Sequence, residues 1–132
     1  WRYLAGTAQS SGPPFRMIVD NGIPVGMSSD GMQIAPMNPW LHMYYVTTGV
    51  NARGDLINDG QQITRPEVLR LYTAANRWFI GEEDLGSIEP GKRADPVVLN
   101  KDFFTVRDEE LKEIRSVLTI VGGQIVYDAG VL

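Results

Sequence analysis

The spacing of apolar positions changes along this chain, and each spacing predicts a different element. From Ser10 to Gly22 the order is polar residues, two prolines, apolar Phe15, Ile18 and Val19 at helical spacing, then Asn21-Gly22 as a stop, which predicts a short helix. The next stretch, Ile23-Pro24-Val25-Gly26-Met27-Ser28-Ser29-Asp30, is an apolar run that turns polar and ends on a carboxylate. A continuous apolar run after a helix predicts a buried parallel strand, with Pro24 tolerated only at its start.

Residues 31 to 63 carry glycine and proline punctuation around a helix expected near Trp40 to Thr48, followed by a polar loop up to Gln62. A loop of this length is usually functional or mobile. Thr64-Arg65-Pro66-Glu67 is a capping-box arrangement, and Val68, Leu69, Leu71, Tyr72 and Ala75 supply an apolar face, so a helix is expected from about Pro66 to Phe79. The last third turns to extended structure: turns over Leu85 to Asp95, a strand at Val97-Val98-Leu99, and a short helix at Asp108 to Ile114 with acids in its first turn. Two further strands, Ser116–Val121 and Gln124–Tyr127, flank Gly122-Gly123, a pair suited to a primed hairpin turn. The reading is therefore α/β over residues 1–80 and β-rich over 81–132.

Composition narrows the function classes. Twelve basic against 16 acidic residues give a formal charge of −4, and without a basic run there is no electrostatic footprint for nucleic acid. No cysteine is present, which removes disulfides, thiolate metal sites and a cysteine nucleophile. No apolar stretch approaches the roughly 18 residues of a membrane-spanning helix, so no membrane partner is expected. The chain opens on Trp1-Arg2-Tyr3, with neither an initiator Met nor a leader layout, and this reads as a sequence with something missing upstream.

Several local patterns invite chemistry and lose to plainer readings. Ser28 and Ser29 lack the Gly-x-Ser-x-Gly elbow of a serine nucleophile. Gly86-x-x-x-x-Gly91-Lys92 has phosphate-loop spacing, but Arg93 replaces the required Ser or Thr and a strand follows where a helix is needed. His42 is the only histidine and has no partner at i+4, so it reads as a partly buried or surface imidazole held by a hydrogen bond. Met27, Met32, Met37 and Met43 read as gap-fillers first and pocket residues second. The acidic segment from Asp108 to Glu113 reads as a solvated helix face.

Two stretches carry more. Leu85-Gly86-Ser87-Ile88-Glu89-Pro90-Gly91-Lys92-Arg93-Ala94-Asp95-Pro96-Val97-Val98-Leu99 resembles the C-terminal signature of the metal-dependent amidohydrolase superfamily, in particular its branch of N-substituted formamide deformylases. Pro14-Phe15-Arg16 through Gly22 to Ser29-Asp30 is similar to that family's seventh barrel helix, eighth barrel strand and the aspartate at the strand's tip. The tail from Thr105 to Tyr127 resembles its terminal helix and hairpin. Pro96, Asn100 and Gly31-Met32 depart from the usual pattern, which has an apolar residue, Asp and commonly Trp-Pro at those places.

The resemblance implies a C-terminal fragment of a TIM-barrel enzyme: the last barrel strand and its helices in residues 1–80, joined to part of a small β-sandwich in residues 81–132. It implies hydrolysis of a non-peptide carbon–nitrogen bond, of amide or formamide type, by a metal-activated water acting on a small-molecule substrate. Asp30 would be both metal ligand and proton carrier, and Gly31 and Met32 would line the substrate pocket. The cofactor implied is a divalent metal, zinc by preference, in the intact parent. The family's other ligands would fall upstream of Trp1, so the fragment alone is expected to be inactive and to hold no tight metal. The rival reading is a non-catalytic assembly or ligand-binding module on the same elements. Either way an unpaired barrel strand implies a homo-oligomer.

Overall fold

In the computed structural model, residues 12–32 and 36–131 are described. Helix α1 spans Phe15–Asp20, and Ser10 and Ser11, read above as part of its lead-in, lie outside the described residues. Helix α2 spans Pro39–Thr48; Asn38 starts it by accepting the Trp40 and Leu41 N–H groups at 3.0 and 3.4 Å, with Pro39 at the first position. It ends at Gly49, whose N–H reaches the Tyr45 carbonyl at 2.8 Å.

Helix α3, Arg65–Tyr72, opens on the expected capping box: the Thr64 hydroxyl accepts the Glu67 N–H, and the Glu67 carboxylate accepts the Thr64 N–H at 2.7 Å. The same carboxylate takes both ends of the Arg16 guanidinium, at 2.9 and 3.0 Å, tying α1 to the start of α3. This pairing holds the Glu67 carboxyl down at about 2.

The helix expected over Pro66 to Phe79 is interrupted. The Leu71 carbonyl, which a continuous helix would give to the Ala75 N–H, instead accepts the Met27 N–H at 3.0 Å, while the Ala75 N–H turns to Arg70. The chain resumes as a single turn, α4, Arg77–Ile80. The same contact explains why the strand expected at Ile23–Asp30 is absent. Among the described residues its backbone has no ladder partner; it is clamped instead to the end of α3, with the Asn76 amide donating to the Met27 carbonyl at 2.9 Å. A parallel strand needs neighbouring strands to pair with, and the three strands described form a separate sheet.

That sheet is antiparallel in the order β1 (Val97–Leu99), β2 (Ser116–Val121), β3 (Gln124–Asp128). Val97 pairs with Thr119, and Thr119 pairs in turn with Tyr127. The hairpin turns on Gly122 and Gly123 at φ 57° and 80°, as a primed turn requires. Asp95 closes it: its carboxylate accepts the Gly122 N–H at 2.6 Å. A 3-10 helix, Asp108–Glu113, stands where a short helix was expected.

The core forms between α2, α3 and the segment entering the sheet. Trp40, Met43, Tyr44 and Val46 pack with Ile63, Val68, Leu71, Phe103, Leu111 and Ile114. Arg65 reinforces the junction by donating to the Phe103 and Val106 carbonyls and to Asp108. The core therefore draws on residues from both the 1–80 and the 81–132 portions.

Candidate functional site

The apolar run from Ile23 delivers Asp30 to an exposed turn whose backbone is unusual. Asp30 has φ 49° and Met32 has φ 77°. The left-handed region costs an ordinary L-residue roughly 1–2 kcal/mol; Asp tolerates it better than most, whereas an unbranched apolar residue gains nothing from it. Between them Gly31 sits in a tight place, where an added Cβ would fall 2.6 Å from Met37 Cγ and 2.7 Å from Ser29 Oγ. Any side chain there would push Met37 off the turn. Asp30 and Met32 are exposed, Met32 at 82%. Strained backbone beside an exposed carboxylate is the arrangement in which function is worth suspecting.

The turn stands on a supported base. Gly26 lies against the α3–α4 junction so closely that a Cβ would come within 2.0 Å of Asn76 Oδ1 and 2.7 Å of a Phe79 ring carbon. Gly26 and Asn76 together fix the path into Ser28-Ser29-Asp30. Sequence reasoning assigned neither a role, since nothing local to an isolated Asn or Gly announces a contact 50 residues away.

The three site residues predicted from sequence, Asp30, Gly31 and Met32, are consecutive on this turn. Among the described residues no group of three or more His, Asp or Glu side chains comes together that could hold a metal ion. Asp30 supplies one ligand where catalytic zinc usually takes three from protein, so the side chains described do not by themselves fit a metal centre.

His42 is partly buried as expected and departs from expectation only in its hydrogen bonding. Its side chain is half-buried, and both ring nitrogens are shielded from solvent without a well-formed hydrogen bond among the described residues. Burial pushes its pKa below the usual histidine value, with the Pro36 carbonyl working weakly in the other direction. The ring lines a half-open cavity of about 360 Å³ between α1, the 25–29 segment, α2 and the end of α3. Phe15, Val25, Met27, Tyr45, Leu71 and Tyr72 make it largely apolar, and Ser28 and Ser29 form its polar margin toward Asp30. Burial raises the Tyr45 hydroxyl and pushes that of Tyr72 up to about 12.

The phosphate-loop spacing resolves into a closed turn. Lys92 is engaged by Ser87 and Glu89, and Arg93 by Asp84, so the segment offers no anion cradle.

The model of the "Amidohydrolase family" matches residues 2–127. The chain belongs to the amidohydrolase family. Within the family it is 32% identical over 117 residues to an N-substituted formamide deformylase of Arthrobacter pascens, a match covering 87% of this chain and 21% of that protein. It is 28% identical over 95 residues to an imidazolonepropionase of Bdellovibrio bacteriovorus, covering 71% of this chain and 20% of that protein. The chain thus spans about a fifth of the length of these curated relatives. Its fold is similar to atrazine chlorohydrolase TrzN from Arthrobacter aurescens TC1, solved in complex with zinc, with a TM-score of 0.60 at 22% identity over 87% of this chain and 27% of that one. As an amidohydrolase segment, the chain places its family signature, Leu85 to Leu99, in the turn and first strand of the sheet.

Proposed function

We propose that this chain is the C-terminal portion of a metal-dependent hydrolase acting on non-peptide carbon–nitrogen bonds of amide or formamide type. Residues 1–80 supply the terminal barrel strand and helices, and residues 81–132 supply part of a small β-sandwich. The observation that carries the reading is the strained turn at Asp30, set at the end of the apolar run in a chain that belongs to the amidohydrolase family along nearly its whole length. In this reading Ile23–Ser29 becomes a strand only when upstream strands pair with it.

Asp30 is the proton carrier. Its carboxylate takes a proton from the attacking water as the new carbon–oxygen bond forms, and returns it to the nitrogen as the carbon–nitrogen bond breaks. Gly31 lets the turn lie close under Met37, and Met32 presents an adaptable apolar contact to the substrate beside the carboxylate. A divalent metal, zinc by preference, belongs to the complete enzyme, with its remaining ligands outside this chain; the isolated segment is inactive.

The test is Asp30→Asn in the longest natural reading frame that contains this sequence. An amide cannot accept the proton, so nearly all turnover should disappear with folding intact; turnover within tenfold of the unsubstituted protein would rule out the proton-carrier role. The alternative, a non-catalytic assembly or binding module, draws on the sheet, which leaves Val97, Val121, Ile125, Val126 and Tyr127 exposed. In either reading these side chains need cover, and a second copy of the chain supplies it when no other segment does.

A further inference from the structure

We propose that the cavity beneath α1 is a binding site for a small neutral molecule with an apolar ring and one hydroxyl group, and that His42 is the residue that recognises the hydroxyl. This does not depend on the role of Asp30, and it concerns the cavity as the 132-residue chain forms it, with the 25–29 segment clamped to the end of α3. The cavity, about 360 Å³ and half-open, is of the size and apolar character of small-molecule sites, which pair such walls with a few placed polar groups. Phe15, Met27, Leu71 and Tyr72 form the walls.

The placed group is the imidazole. Both of its nitrogens are shielded from solvent and neither makes a well-formed hydrogen bond among the described residues; the nearby Pro36 carbonyl can receive only an N–H, so the accepting nitrogen is left without a donor there. Helix α2 carries the ring, with Trp40, Met43 and Tyr44 of the same helix buried in the core. A buried imidazole in apolar surroundings is neutral at pH 7, with one nitrogen able to accept a hydrogen bond. A ligand hydroxyl satisfies that acceptor while its ring covers the apolar walls. A cationic or anionic ligand would lose its hydration with no opposite charge to receive it.

The chain has one histidine, so the imidazole proton resonances in an NMR titration report on this cavity alone. Phenol added to the 132-residue chain at neutral pH should shift the His42 Hε1 resonance saturably, with a dissociation constant of about 1 mM or tighter. Anisole, which keeps the ring but has no hydroxyl proton, should bind about tenfold more weakly. In His42→Phe the difference between the two ligands should vanish, read on the resonances of Phe15 and Tyr72. An absent or non-saturating phenol shift, or equal affinity for phenol and anisole in the unsubstituted chain, overturns the proposal. The comparison of the two ligands decides the matter even where the His42→Phe chain fails to fold.

Discussion

Helix α2 and strand β3 show how differently two parts of one chain can be finished. Four of the ten residues of α2 are buried, whereas all five of β3 are exposed although three of them, Ile125, Val126 and Tyr127, are large and apolar. The helical region closes its core with its own residues and with Phe103, Leu111 and Ile114 from the approach to the sheet. The sheet completes its hydrogen-bonded hairpin but not its packing. Local geometry is enough to make a sheet; covering its faces takes material from elsewhere.

The contrast is tested most strongly by truncation on its two sides. Leu111 is fully buried, and Leu111→Ala should cost about 3 kcal/mol in urea unfolding, as core leucines do. Ile125 is 62% exposed, and Ile125→Ala should cost no more than about 0.5 kcal/mol in the monomer. If Ile125→Ala costs as much as Leu111→Ala, the sheet is already covered in solution and the comparison fails. Light scattering sharpens the same point: association with rising concentration is expected, and Tyr127→Asp should weaken it by placing a charge on the exposed sheet.

A smaller effect should appear in acid. The Glu67 carboxyl is held at about 2 in the folded chain against an ordinary 4.5, chiefly by Arg16. A carboxylate with a depressed folded pKa stabilises the fold fully above its unfolded value, and that contribution is lost as pH falls from about 4.5 towards 2. Both partners are substantially solvated, so the loss should be a modest part of the acid destabilisation. Glu67→Gln should be less stable at pH 7 and should flatten the decline below pH 4.5; an unchanged acid limb would show that other carboxylates control it.

Smaller still is the effect expected at the strained turn. Met32→Gly relieves a φ of 77° while adding freedom to the unfolded chain, so a net gain of about 0.5 kcal/mol is expected. On the proposed role of Asp30, the same change in the longest natural reading frame should reduce turnover, because it loosens the turn that carries the carboxylate. A loss of stability would mean that Met32 makes contacts that outweigh its strain.

Much of this chain was legible in its order of residues. Thr64 and Glu67 mark the start of α3 because a capping box is local chemistry, and Gly122-Gly123 mark the hairpin because few residues accept two positive φ angles in succession. The family signature is likewise contiguous. The candidate site was only partly legible: Asp30, Gly31 and Met32 entered through the family resemblance, and the structure shows them consecutive on one turn. Their strain, the close seat of Gly26 on Asn76 and the buried nitrogens of His42 could not be read from sequence. The run Ile23 to Ser29 shows the limit best. Its apolar pattern calls for cover, which this structure gives only in part, Ile23 staying 51% exposed; strand or clamped segment depends on which backbone groups are there to pair with it, and here the Leu71 carbonyl and the Asn76 amide take that place. Sequence determined the caps, turns and apolar faces, since each rests on residues within a few positions of one another. Tertiary structure alone decided which carbonyl ends α3 and whether the imidazole of His42 finds a partner, because those outcomes depend on groups brought together from distant parts of the chain.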